Sequence, residues 1–428
     1  MPENMMTKDV KEWLSARALR LRTLEAGGPA ADLQPWAGVL KDVRIVGLGE
    51  ATHGTREFFL LKHRLVEFLV RDLGFRTLAM EAPAAATCSV NAYVLHGTGD
   101  ARSAVARLGF WTWKTEEVLA LVEWMRGYNA SVAGDRRVRF VGIDPQLPAP
   151  AIGRLDAFLR RVAPERAVAL RDVFDLLAAA QPGSHPDSGG RLVGAVRELV
   201  EWITADGVRP AAGTGVGEAD EVTRAVEDAR TLLRAADMAS RPLLCEDRKD
   251  SGLAARDRHM ADAVAEALGE GSGGVVVWAH NGHVLKGRYA SGVPALGSHL
   301  AMRYGDAYYA LGLLFGRGAF RARRGDDAVR PPARHRISGG GLRSVEGQLA
   351  AACRVDHLVD LRPGKKGPEV NRWLTAGHYT RCFGAGVPRF TYRFQFMPTV
   401  LAEEYDGLAY VAWSSCSRPL DLPASDGR

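Results

Sequence analysis

One stretch constrains the fold more than any other: residues 43–81 read as strand, turn, helix and strand in a single run. Residues 43–48 (VRIVGL) form a buried β-run, and residues 49–54 (GEATHG) turn the chain. Thr55 can then cap a helix whose inner stripe is Phe58, Leu61, Leu65, Phe68 and Leu69, with Gly74 just past its end. Residues 75–80 (FRTLAM) are the next strand, ending in Glu81. A βαβ unit of this kind demands two parallel strands in one sheet and a right-handed crossover. The chain is thereby committed to an α/β architecture.

The same grammar returns. Residues 138–143 (VRFVGI) run into Asp144, and residues 275–279 (VVVWA) run into His280. Tyr308 to Phe315, His357 to Leu361 and Leu408 to Trp413 are further strands. Between Asp144 and Gly274 the pattern is almost wholly helical and too long for one crossover. It reads as a helical insertion over one edge of the sheet. The expected organisation is an N-terminal helical segment (1–37), a discontinuous α/β body (38–149 and 271–420) and an insertion lobe (150–270). The sheet should be central, largely parallel and flanked by helices. Val10, Trp13, Leu14, Ala18 and Leu21 recur at helical spacing and predict a surface helix packed on that body.

Composition narrows the function classes. Lys and Arg number 56 against 50 Asp and Glu, a net charge of +6 that is dilute over 428 residues. Residues 317–343 hold eight arginines against Asp326 and Asp327, but no aromatic beyond Phe320 is interleaved. They read as a solvated loop, and nucleic acid is not an expected partner. No apolar run approaches ~18 residues, so no membrane span is expected. Residues 1–30 lack an apolar h-region and a cleavage site, so no secretory signal is expected. The five cysteines form no C-x-x-C pair, which fits a reducing cytoplasm.

In an open parallel sheet, ligands bind beyond the carboxyl ends of the strands. There this sequence places Glu50 and His53, Glu81, Asp144, and His280 with His283. Acids often cap the helix after a strand, but histidines serve that role poorly, so the convergence points to a reactive cleft. The chain lacks a G-x-S-x-G elbow and an H-E-x-x-H motif. Thr52 stands where a dinucleotide turn needs its third glycine, and Glu50 would repel a pyrophosphate. What remains is histidine with carboxylates: a general base that activates water, or ligands for a metal that does so.

Residues 47–63 (GLGEATHGTREFFLLKH), 74–81 (GFRTLAME), 140–144 (FVGID), 256–264 (RDRHMADAV) and 276–284 (VVWAHNGHV) resemble the erythromycin esterase family. Weaker matches are 308–312, 344–346 and 406–410, and the likeness runs from about residue 38 to 413. The resemblance implies an α/β body with a helical lobe over a deep cleft, and a hydrolase that opens macrolide lactones. It implies that His53 deprotonates water and that Glu50, Glu81, His280 and His283 complete the site. Lys62 stands where the family pattern often has Arg, which keeps the charge and loses the bidentate fork.

Other residues weigh less. Glu57, four residues after His53, and His63, on the same helix, are expected to line or support the cleft, as are Lys62 and Asp144. Arg256 and Asp257 are expected to brace a helix, and Trp111 and Trp113 to belong to the core. His96, His185, His335 and His378 look incidental. The expected substrate is a bulky natural product bearing an ester or lactone, and catalysis is expected without cofactor. If a divalent metal takes part, His280, His283 and Glu81 are its ligand set. Two further functions fit the same residues: a tailoring enzyme of secondary metabolism doing acyl transfer, cyclisation or elimination, and a metal- or haem-binding protein of the superfamily.

Overall fold

The computed structural model describes residues 6–186, 190–205, 216–270, 273–325, 330–362 and 367–421. Its strands, in chain order, are β1 (Leu19–Arg20), β2 (Ile45–Leu48), β3 (Thr77–Pro83), β4 (Arg139–Asp144), β5 (Val275–Trp278), β6 (Tyr308–Arg324), β7 (Ala333–Ile337), β8 (His357–Asp360), β9 (Gly377–Arg381), β10 (Gly386–Val387), β11 (Phe396–Val400) and β12 (Gly407–Ser414). One ten-stranded sheet follows the order β1-β8-β12-β6-β2-β5-β3-β4, with β7 and β10 also paired to β6. The run β12-β6-β2-β5-β3-β4 is parallel throughout. Among the described residues, antiparallel pairing enters this sheet only at β1–β8, β8–β12 and β6–β7. β9 and β11 form a separate antiparallel pair.

β2 and β3 are parallel in one sheet, but they are not neighbours, because β5 lies between them. Every residue of β2 and β5 is buried, as strands covered on both faces require. The helix Arg56–Arg71 departs from a simple amphipathic stripe, since twelve of its residues between Phe58 and Val70 are buried. Lys62, His63, Arg64 and Glu67 are among them, so this helix carries charge into the interior, where each charge needs a partner. Thr55 occupies the cap position without a capping bond. The helix start is fastened instead by the Arg56 N–H donating to the Ser415 carbonyl. Gly74 takes the left-handed conformation expected past a helix end, at φ 74°.

β6 extends nine residues past Phe315, where its parallel stack was expected to stop, and its second half turns to pair with β7. Apolar residues of 149–240 form a cluster of their own around Leu155, Phe158, Val196 and Leu232. The helix Gly252–Glu270 differs. Its Met260, Val264 and Leu268 belong to the main core with the sheet, so the crossover into β5 begins inside the stretch expected as insertion. The N-terminal helix Lys8–Arg17 buries Val10 and Leu14, and the chain then adds β1 at the sheet edge. No helix among the described residues is long and apolar enough to cross a membrane.

Candidate active site

The turn after β2 is shaped by close contacts that only glycine allows. A side-chain carbon at Gly49 would lie 2.1 Å from Asn281 Oδ1, and one at Gly54 would lie 1.9 Å from the Arg321 carbonyl oxygen. Asn281 in turn bonds both backbone groups of Leu313 on β6, and its own N–H donates to the Glu50 carbonyl. The turns after β2 and β5 are thus locked to each other. At β3 the register with β4 shifts between Met80 and Pro83, a bulge of the kind that re-aims side chains, and Glu81 sits within it.

His53 Nδ1–H donates to Glu50 Oε1 at 2.7 Å. The other Glu50 oxygen accepts from Lys62 Nζ at 2.7 Å, and neither Glu50 nor Lys62 has any exposed side-chain surface. Lys62 also donates to the Ala279 carbonyl at 3.1 Å and lies 4.7 Å from the centre of the Trp278 ring. Burial lowers its pKa to about 8, against the opposing pull of Glu50. With Nδ1 committed, His53 Nε2 has no hydrogen-bond partner among the described residues, and the side chain keeps 10% of its surface exposed. Trp113 stands edge-on to the His53 ring at 5.5 Å, and its indole N–H donates to the Glu81 carbonyl.

The His280 ring lies 4.9 Å from that of His53, centre to centre. Its Nδ1 accepts the Gly282 N–H at 3.1 Å and its Nε2–H donates to the Phe383 carbonyl at 3.1 Å. His280 is in fact the cap of the short helix Asn281–Val284, a role that histidine was not expected to fill. Burial, with the neighbouring His53 adding to it, lowers its pKa to about 3, so the ring is neutral. Cys382 Sγ lies 3.8 Å from His280 Nε2, but burial pushes the thiol up to about 12.

His283 is the opposite case. Burial opposes its charge, yet Asp257 and Glu81 outweigh that and raise its pKa to about 10. Its Nδ1–H donates to Asp257 at 2.8 Å and its Nε2–H to Glu81 Oε1 at 3.0 Å. The Tyr289 hydroxyl and the Leu296 N–H also donate to Asp257 Oδ1. Glu81 Oε1 takes a further bond from Arg256 at 2.9 Å, and Oε2 accepts the His280 N–H. Burial alone would raise the Glu81 pKa, but His283, His53 and Arg256 together hold it well below the usual carboxylate range. Arg256 reaches on to Asp144 at 2.6 Å, so one guanidinium joins the ends of β3 and β4. Sequence reasoning gave Arg256, Asp257 and Trp113 structural roles, and it missed Tyr289 and Asn281. The R-D pair in 256–264 was the available signal for the first two.

Two expected members sit elsewhere. Both Glu57 oxygens accept from Ser415, at 2.6 Å each, so this carboxylate pins the helix start to the C-terminal segment. His63 packs edge-on to Trp124 at 5.7 Å, 3.7 Å from Glu67, and burial lowers its pKa to about 4. The conditional metal set does not fit a metal. Both nitrogens of His280, both of His283 and both oxygens of Glu81 are already engaged, so no three lone pairs converge. No group of three or more His, Cys, Asp or Glu able to hold a metal occurs among the described residues.

The chain is 32% identical over 134 residues to the erythromycin esterase type II of Escherichia coli, a match spanning 31% of each chain. A solved succinoglycan biosynthesis protein superposes with a TM-score of 0.77 at 22% identity, covering 97% of this chain and 98% of that one. A histidine-to-asparagine mutant of the erythromycin esterase EreC, in its open conformation, gives a TM-score of 0.68 at 16% identity, covering 93% and 98%. At these identities the two structures speak for the fold alone. The erythromycin esterase family profile matches residues 70–414, a span that holds Glu81, Asp144, His280 and His283 and begins after Glu50 and His53. With four-fifths of its length matched by that profile, the chain belongs to the erythromycin esterase family.

Proposed function

We propose that the protein is a hydrolase that opens an ester or lactone of a bulky natural product with water activated by His53. Its family supports a hydrolase of the erythromycin esterase type. The observation that carries the mechanism is the state of the His53 ring. Its Nδ1–H is held by Glu50, which fixes the tautomer and leaves the Nε2 lone pair open to take a proton. The charge balance agrees. Four carboxylates (Glu50, Glu81, Asp144 and Asp257) face three cations (Lys62, Arg256 and His283). The neutral His53 leaves this buried set one negative charge in excess, and the imidazolium formed as water attacks removes the excess. Such preorganised charge stabilises the transition state more than the ground state.

Glu50 is the group that orients the ring, and Lys62 holds Glu50. Glu81, His280, His283 and Asp144 act through position: His280 is a neutral wall beside the reacting nitrogen, and the others form the charged frame behind it. The test is turnover of a panel of macrolide lactones and simpler esters in water enriched in heavy oxygen. The expected product carries one heavy oxygen in its new carboxylate, and enzyme quenched in acid carries no acyl adduct. A trapped acyl-enzyme would overturn direct attack by water. Products of acyl transfer or elimination, without added water, would overturn hydrolysis.

A further inference from the structure

The arginine-rich stretch after Phe315 gains a different meaning once the strand register is known. Arg321 pairs with Arg334 across β6–β7, and Ala319 pairs with Arg336. Alternation along β6 puts Arg317, Ala319 and Arg321 on one face and Phe320 and Ala322 on the other. Phe320 and Ala322 are fully buried, with Phe320 stacked on His335 at 5.4 Å and on Phe383 at 4.5 Å. The other face carries Arg317 and Arg321 on either side of the buried Ala319, with Arg334 and Arg336 of β7 opposite. It also has the aromatic that its own sequence lacks: Trp413 of β12 pairs with Arg317, is 59% exposed, and lies 5.3 Å from the Arg317 guanidinium.

A concavity of about 780 Å³ beside this face is lined by Arg317, Arg334, Arg336, Arg393 and Trp413, together with Ser414 and Ser415. Among the described residues none of these four arginines has a carboxylate in ion-pair reach. Like charges placed directly opposite across a ladder are destabilising, so the Arg321–Arg334 pair costs the protein stability. The volume lies in the range of small-molecule sites, and a concave shape suits a compact ligand better than an extended polymer. Arginine forks match phosphate oxygens bidentately, and an exposed indole offers a stacking plane.

We propose that this concavity is an accessory site for a nucleotide, with a di- or triphosphate across Arg317, Arg334 and Arg336 and a planar base against Trp413. The test is calorimetric titration of the full chain with ADP, inorganic pyrophosphate and adenosine, together with a single-stranded oligonucleotide and anionic phospholipid vesicles. ADP should bind most tightly, pyrophosphate more weakly and adenosine not measurably. Arg334→Glu and Arg336→Glu should each weaken ADP at least roughly tenfold, since each swaps a charge-assisted contact for a repulsion. Trp413→Ala should weaken ADP and leave pyrophosphate unchanged. Arg334→Glu should also raise the melting temperature of the free protein, because it relieves the Arg321 pair, and basal turnover should not change. Undetectable ADP binding, ADP binding kept in the Arg334→Glu and Arg336→Glu variants, or pyrophosphate binding as tightly as ADP would overturn the proposal. So would tight binding of the oligonucleotide or vesicles without ADP binding, which would make the face a macromolecular surface.

Discussion

Lys62 Nζ lies 2.7 Å from Glu50 Oε2 with neither side chain exposed to solvent, deep under the turn that carries His53. Breaking one half of such a pair strands a buried charge. Lys62→Met should therefore destabilise the protein by about 3–5 kcal/mol in denaturant titration. The double variant Lys62→Met/Glu50→Gln should recover part of that loss, because no lone charge remains. A double variant less stable than Lys62→Met alone would show that the two side chains are not coupled through charge.

Arg256 makes a parallel case at the other end of the site. It bonds Glu81 and Asp144 at once, and lysine has no fork to span both. Arg256→Lys should lower kcat by at least roughly tenfold while the protein stays folded, since Glu81 loses the partner that aims it at His283 and the His280 N–H. Unchanged turnover in a folded Arg256→Lys variant would remove this frame from the mechanism.

Much of this was legible in the sequence because strand ends advertise themselves. Glu50, His53, Glu81, Asp144, His280 and His283 each follow or close an apolar β-run, and parallel pairing brings those ends to one edge. What did not show was which of them would be free to react. His280 looked like a reactive or ligating histidine, yet the carbonyl of Phe383 and the N–H of Gly282 occupy its two nitrogens. Phe383 lies a hundred residues downstream in a segment with no motif. Glu57 looked like a cleft residue from its spacing, but its partner Ser415 comes from the far end of the chain. Local pattern predicts elements and their ends, whereas long-range bonds decide the state of each side chain.

pH should act on stability through His283. Its pKa is raised from 6.5 to about 10, so its contribution is complete below about pH 6.5 and is lost as pH climbs toward 10. Lys62 works in the opposite sense: burial lowers its pKa from 10.5 to about 8, so stability climbs between about pH 8 and 10.5 as the cost of burying the charge is relieved. Glu404, raised by burial from 4.5 to about 7, favours the folded state when protonated, so its share is complete below about pH 4.5 and is spent by about pH 7. Between about pH 7 and 8 His283 dominates, and the melting temperature should fall with pH. His283→Gln should flatten that slope, and an unchanged slope would show that the imidazolium is not held in the folded state.

Metal removal should leave the enzyme working. The donors of His280, His283 and Glu81 are spent on protein partners. Dialysis against a strong chelator is expected to preserve kcat. Loss of turnover that one equivalent of a divalent ion restores would contradict that expectation.

The proposed catalysis depends on one open ring nitrogen, His53 Nε2. The most direct measurement is kcat/KM of His53→Ala on an ester or lactone that the native enzyme hydrolyses, with circular dichroism and melting temperature taken on the same sample. A general base contributes ~10²–10⁴-fold, so a folded variant should lose at least ~10². A folded His53→Ala protein with near-native turnover would contradict the central claim, whatever the substrate.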